Sequence, residues 1–218
     1  MRLADYIGKY WAGAEVMYGV IIAMTFTSIL RGYPAVFEFA LNRTISAALL
    51  CCMAWGVADG LFYFWERSYI IRTENRIIRS SKLPREDGTA VSLIGNQLDD
   101  TILRNVPEEK RLQLYEKLKE FLSGVDIPEK LSSHDAATIL LGTFLLSAGA
   151  GCIIVAPFFV IHDVEQALKV SNLLGIVLLF LVGYFRALDR DFFSKVMFGF
   201  GSSLVGIVIA GITIVLGG

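Results

Sequence analysis

Cysteine is scarce in this chain of 218 residues, and over most of its length so is charge. Only three cysteines occur, all within apolar runs where a free thiol behaves as a small hydrophobic side chain, so a disulfide-stapled secreted domain is excluded. Of the 20 basic and 21 acidic side chains, 25 lie within residues 66–135, and the rest of the chain is almost free of charge. This distribution excludes a soluble enzyme with a single core and also a disordered chain.

The charges nearly cancel, and no catalytic motif accompanies them. A formal net charge of −1 provides no basic surface for a nucleic-acid partner. The only two histidines, His134 and His162, lie at opposite ends of one apolar run and cannot form one site. Because the sequence has no Ser/His/Asp set, no phosphate-binding glycine loop and no metalloprotease motif, we expect neither an enzyme nor a bound cofactor.

Long apolar runs make up most of what remains. A helix that crosses the hydrocarbon core of a bilayer needs about 20 mostly apolar residues. The first run is expected to be an uncleaved span, since Glu15 interrupts it and no small-residue cleavage site follows. The sequence predicts an all-α membrane protein with five transmembrane helices in the lipid bilayer. Their apolar cores lie at 11–30, 44–65, 136–161, 170–185 and 196–218.

Lysine and arginine are distributed unevenly between the two sides that these spans define. With the N-terminus inside, 17 basic residues lie on the cytoplasmic side and 3 lie outside. Cytoplasmic loops of membrane proteins carry such an excess. We therefore expect the N-terminus in the cytoplasm and the C-terminus outside. The predicted division is helices 1 and 2 in 1–66, a cytoplasmic helical insert in 67–135, and helices 3 to 5 in 136–218.

The insert carries helix signals. Pro107 followed by two glutamates opens a helix predicted over 107–123. A shorter helix is predicted at 97–105, and the sequence at 84–88 is typical of a turn. The apolar face of this small helical unit needs a partner, either the membrane domain or a second copy of the chain.

Three acids fall near one face of the longer insert helix: Glu109, Glu116 and Glu120. One interpretation is a patch that collects divalent cations through carboxylate oxygens. The other is a solvated face in which neighbouring lysines balance the acids. The residues alone leave both interpretations open.

Two carboxylates lie within the predicted membrane helices. Asp59 is about 9 Å from the cytoplasmic end of the second helix, and Glu15 lies in the inner part of the first, where Tyr18 reaches a similar depth. Because a carboxylate in the bilayer is costly, these side chains and Met53 are predicted to bind a borderline divalent metal through oxygen and thioether ligands. The alternatives are that Asp59 bonds to a neighbouring Ser or Thr, that Glu15 snorkels to the surface, and that the methionine packs.

Short motifs along most of the chain resemble those of the vacuolar iron transporter family, in particular an uncharacterised prokaryotic branch. In that family an Asp precedes the glycine of the first helix, where this chain has Tyr18, and Asp59 stands for the acid of the second helix. The family's Glu-x-x-Glu ligand pair does not occur in the insert. The motifs lie at 15–22, 54–60, 142–158, 167–172, 179–184 and 199–211.

The resemblance implies a homodimer in a prokaryotic cell membrane that moves iron or manganese out of the cytosol, with or without proton coupling. Asp59 is then the central ligand or proton carrier, and Glu15 and Tyr18 complete the site. Two alternatives stay open: a non-transporting scaffold or docking protein that kept the fold, and a transporter of another small solute.

Overall fold

Helices are the only regular elements within residues 3–32, 37–83, 87–127 and 130–215, which are the residues that the computed structural model describes. A 3₁₀ helix at Ile102–Asn105 supplements nine α-helices in these ranges. The α-helices are α1 Leu3–Ile7, α2 Lys9–Gly32, α3 Phe37–Ser81, α4 Asp87–Leu98, α5 Glu108–Ser123, α6 Ser133–Val155, α7 Pro157–Val160, α8 Val164–Arg186 and α9 Phe192–Val215.

Four of these helices are long and apolar enough to cross a membrane, namely α2, α3, α6 and α8. In α9 the apolar stretch found among the described side chains, Phe192–Val208, is shorter. The structure is thus that of an all-helical, membrane-embedded protein, as the charge-free runs predict.

The chain forms two compact units. The first, here called the apolar unit, comprises Met1–Phe64 and Ser133–Gly218, and the second, the charged unit, is Trp65–Ser132. Helix α3 runs from one unit into the other without a break, since residues 66–81 contain neither glycine nor proline. The predicted apolar core at 44–65 lies within this helix, which continues beyond it, because a helix ends where its backbone is interrupted and not where its side chains become polar.

The apolar unit is built around α2. This helix packs against α6, α8 and α9, and its buried side chains share a core with those of α3, α6 and α8. Close approach depends on glycine: a Cβ on Gly19 would collide with the carbonyl oxygen of Ser147 in α6. Small residues allow such helix contacts in membranes, where apolar packing alone does not distinguish protein from lipid. The core members are Val20, Ala23, Met24, Cys52, Ala150, Ile154 and Leu179.

Two short breaks separate helices of the apolar unit, and the second of them falls within a predicted span. Gly8 separates α1 from α2 with φ of 82°, a left-handed conformation that glycine adopts without a steric penalty. The predicted third span, 136–161, is interrupted: α6 ends at Val155 and Pro157 begins the short helix α7. Proline lacks the N–H that would continue the α6 hydrogen-bond ladder, which accounts for the interruption, while Ala156 before it keeps helical dihedrals.

The charged unit has its own small core between α3, α4 and α5. Ile77, Ile94 and Tyr115 are its buried members. The predicted helix at 107–123 is confirmed as α5. The predicted helix at 97–105 is wrong: α4 ends at Leu98, and only the 3₁₀ helix follows. Residues 84–86 of the predicted turn lie outside the described residues, and Asp87 and Gly88 already belong to α4.

Candidate functional site

Glu15 is the most deeply buried acid among the described residues of the apolar unit. Its side chain lies in α2 with 0% of its surface exposed. One carboxylate oxygen, Oε1, accepts a hydrogen bond of 2.9 Å from the Tyr63 hydroxyl of α3. The other, Oε2, is buried and has no hydrogen-bond partner among the described residues. Glu15 therefore does not snorkel to the surface.

Asp59 lies one helical turn before Tyr63 and is half-buried. Its carboxylate is close enough to act electrostatically on both Glu15 and Tyr63, and Tyr18 also acts on Tyr63. The structure thus brings together three of the predicted membrane residues, Glu15, Tyr18 and Asp59. It reverses their order of burial, because Glu15 and not Asp59 is the enclosed acid.

Tyr63 is the member of this group that sequence reasoning left out of the site. The signal was present: Tyr63 follows Asp59 at i+4 and so shares its helix face. Met53 precedes Asp59 by six residues and is therefore rotated about 120° from it around α3. That rotation separates the thioether from the oxygen cluster.

Aromatic rings pack against the two phenols beside the acids. The Trp11 ring contacts the Tyr63 ring with centroids 6.2 Å apart, and Trp55 meets Tyr18 edge to face at 5.7 Å. Such rings displace water and lower the local dielectric constant, which strengthens every electrostatic interaction between the groups that they enclose.

The helix that carries Asp59 is held against α6 at very short range. A Cβ on Gly56 would lie 2.8 Å from the Phe144 Cα and 2.9 Å from the Thr143 carbonyl oxygen. The Ser147 hydroxyl donates a 2.9 Å hydrogen bond to the carbonyl oxygen of Cys52, one turn before Gly56. The second acid therefore sits on a rigidly positioned backbone.

Chemically, the group offers two carboxylates and two phenol oxygens in a low-dielectric setting. With both carboxylates ionised, repulsion between them favours uptake of a cation or a proton. An all-oxygen set of this kind suits hard or borderline divalent ions. Nowhere in the part of the chain that the structure describes do three Cys, His, Asp or Glu side chains come together to hold a metal. The phenols, solvent or a second chain would have to complete a coordination shell.

The three predicted acids of the charged unit lie on α5 and are exposed. Glu116 and Glu120 line an open cleft of about 770 Å³ together with Lys119, whereas Glu109 is not among its lining residues. The structure thus places two of the three predicted acids, Glu116 and Glu120, at one cavity together with the side chain of Lys119. This arrangement favours a solvated face over a dedicated metal site.

The acid best supported by contacts in the charged unit is Asp99. Its Oδ1 accepts hydrogen bonds from Arg111 Nη1 at 2.6 Å and from the Tyr115 hydroxyl at 2.7 Å. Burial, followed by the hydrogen bond to Asp99, raises the pKa of Tyr115 above its ordinary value. Asp99 directly follows α4, and Arg111 and Tyr115 lie in α5. These contacts therefore hold the end of α4 against α5, and we interpret the network as structural.

Comparisons with known proteins add no assignment to this geometry. No protein-family model matches the chain, and no curated protein does so either. The resemblance to vacuolar iron transporters therefore stays a prediction, and the function is inferred from the acids of the apolar unit.

Proposed function

We propose that the protein carries a divalent metal ion, of the iron or manganese class, out of the cytosol, with Glu15 and Asp59 as the acids that hold it within the membrane. The observation that carries the proposal is the fully buried Glu15 carboxylate with an unpartnered oxygen. An unsatisfied buried polar atom costs about 1–3 kcal/mol, and more when the group is charged. A cation at Oε2, or a proton shared with Asp59, removes that cost.

Proton coupling follows from the same chemistry. Carboxylate ligands must be deprotonated to hold a metal, so metal entry releases protons and metal exit takes them up. The Tyr63 hydroxyl, already bonded to Glu15, supplies a third oxygen beside the ion path. Transport of another small cationic solute would use the same acids and would differ only in ion selectivity.

The wider arrangement is part of the proposal. Helix α9 acts as the fifth crossing, since it spans 24 residues of predominantly apolar composition. The N-terminus and the charged unit lie in the cytoplasm, and the C-terminus lies outside, as the basic residues indicate. Two copies form a dimer in a prokaryotic cell membrane, which is the assembly implied by the family resemblance.

Isothermal titration of the purified protein tests metal binding directly. We expect Fe²⁺ and Mn²⁺ to bind, with affinity reduced by about tenfold or more in Glu15→Gln and in Asp59→Asn. Glu120→Gln, which removes an exposed acid of the charged unit, is the matched control and should bind as the wild type does. Equal affinities in all four proteins would remove the two acids from the function.

A non-transporting scaffold is the second candidate, and one observation favours it. Tyr63 already satisfies one oxygen of Glu15, and the helices around the acids are closely packed. On this account the acids join α2 to α3, and Glu15→Gln lowers stability without changing metal affinity. The titration and a melting curve of the same variant together separate the two functions.

A further inference from the structure

Two adjoining pockets open where α2 begins and α8 ends. They share Tyr10, Arg186 and Asp189 as lining residues. The larger pocket, of about 450 Å³, is mainly apolar, and the smaller, of about 340 Å³, adds Arg190 and Ser202. The apolar part is lined by Leu178, Leu181, Val182, Phe185 and Leu188. An apolar groove thus leads into a pocket that contains two guanidinium groups.

Arg186 is held in place by contacts that use only part of its hydrogen-bonding capacity. Its guanidinium carbon lies 5.6 Å from the centre of the Tyr10 ring, and Nη1 donates a hydrogen bond of 4.0 Å to the Met17 sulfur. A guanidinium has five N–H donors, so its other N–H groups can still donate to an anion. Within the described residues neither Arg186 nor Arg190 forms an ion pair.

The charge of the smaller pocket is positive. Arg186 and Arg190 outnumber its one acid, Asp189, and the half-buried Ser202 hydroxyl adds a neutral donor. The next acid along the chain, Asp191, is occupied: its two oxygens accept hydrogen bonds from the Ser194 N–H at 3.0 Å and from the Ser194 hydroxyl at 2.7 Å. An anion of one or two charges therefore fits this pocket.

The apolar groove indicates that this anion is the headgroup of a membrane lipid and not a free anion. Leu181 and Phe185 are 39% and 58% exposed on a helix that is apolar enough to span a membrane, so lipid chains surround them. Basic pockets between transmembrane helices bind anionic headgroups. We propose that this site binds an anionic phospholipid, with the phosphate at Arg186 and Arg190 and one acyl chain along the groove between α2 and α8. The proposal does not depend on metal transport.

Native mass spectrometry of the detergent-solubilised protein tests the site. Phosphatidylglycerol and phosphatidylcholine of equal chain length are titrated separately, and the one-lipid-per-chain adduct is measured. We expect phosphatidylglycerol to bind about tenfold more tightly than phosphatidylcholine, and Arg186→Gln or Arg190→Gln to remove most of that difference. Lys169→Gln, at the other end of α8, breaks only an exposed pair with Glu165 and should leave binding unchanged.

A second variant tests the groove without removing a charge from the site. A Cβ on Gly13 would lie 3.4 Å from Val182 Cγ1 and from the Arg186 side chain, so the larger side chain of Gly13→Leu would project into the groove. Weaker phosphatidylglycerol binding by this variant, with glycerol phosphate unable to compete, supports the lipid site. Equal binding of the two lipids, full binding by Arg186→Gln, or displacement by glycerol phosphate at equal concentration would overturn it.

Discussion

Acids in the apolar unit and acids in the charged unit have opposite surroundings. Glu15 is enclosed by helices and faces a phenol and a second carboxylate. Glu116 and Glu120 lie on the surface of α5 with a lysine between them. The charged unit has more acids, but solvent and lysines already stabilise their charges. The acids of the apolar unit therefore form the better candidate for an ion site.

Asp99 in the charged unit differs from Glu15 in the same respect, namely in what neutralises its charge. It has a guanidinium at 2.6 Å and a hydroxyl at 2.7 Å, so its charge is balanced. Glu15 has no cation beside it among the residues that the structure describes, and one of its oxygens is unpartnered. A buried acid that lacks a counter-charge marks a site more sharply than a cluster of exposed acids does.

The largest expected effect concerns which side of the membrane the charged unit occupies. In a variant with alanine at the three native cysteines, Glu120→Cys should react with an impermeant maleimide in inside-out vesicles and not in intact cells. Lys169→Cys, near the start of α8 and on the side predicted to lie outside, should give the reverse pattern. Labelling of Glu120→Cys in intact cells would contradict the proposed orientation and the contrast between a membrane unit and a cytoplasmic one.

A second prediction concerns the packing that positions Asp59. Gly56→Leu places a side chain against the backbone of α6, which cannot move without separating the helices, so we expect a loss of about 3 kcal/mol of stability. Gly149→Leu is the matched control, because a Cβ at Gly149 meets nothing within 4 Å. Melting curves in mild detergent measure the stability of both variants. Equal melting temperatures would show that the close approach at Gly56 is not required.

The smallest expected effect lies in the charged unit. The raised pKa of Tyr115 means that the fold favours the neutral phenol, so its contribution to stability is complete below about pH 10 and is lost as the pH rises through the raised pKa. Tyr115→Phe should lower the melting temperature by about 2 °C at pH 7 and flatten its decline above pH 10. A decline as steep as that of the wild type would assign the alkaline sensitivity to other groups.

Much of the fold could be predicted because membrane helices follow from composition. As far as the structure describes them, four of the five apolar runs lie within single helices, and the run at 136–161 is divided at Pro157. The proline with its two following glutamates marks the start of α5. The continuation of α3 to Ser81 was missed because hydropathy locates a membrane boundary and says nothing about the backbone beyond it. Helix α4 was misplaced because Gly88 and Gly95 lower its propensity, while burial of Ile94 against the α3–α5 core stabilises it.

The candidate site could be predicted only in part. Depth along each helix placed Tyr18 and Asp59 at similar levels, with Glu15 also in the inner half of the membrane, and spacing placed Tyr63 on the face of Asp59. Which acid is enclosed depends on how α2 and α3 are rotated against each other. That rotation is set by contacts between distant residues, such as the hydrogen bond of 3.4 Å from the Cys52 thiol to the Gly19 carbonyl oxygen.

Metal uptake into proteoliposomes, measured with melting curves of the same proteins, tests the central claim most directly. The wild type is compared with Glu15→Gln and Asp59→Asn, which keep side-chain shape and remove charge, and with Glu116→Gln from the charged unit. We predict that both membrane variants lose uptake by about tenfold or more while their melting temperatures hold or rise, since a buried charge is relieved. Glu116→Gln should transport as the wild type does. Equal uptake by all four proteins, or lower melting temperatures of the two membrane variants without a transport defect, would contradict the account and favour the scaffold.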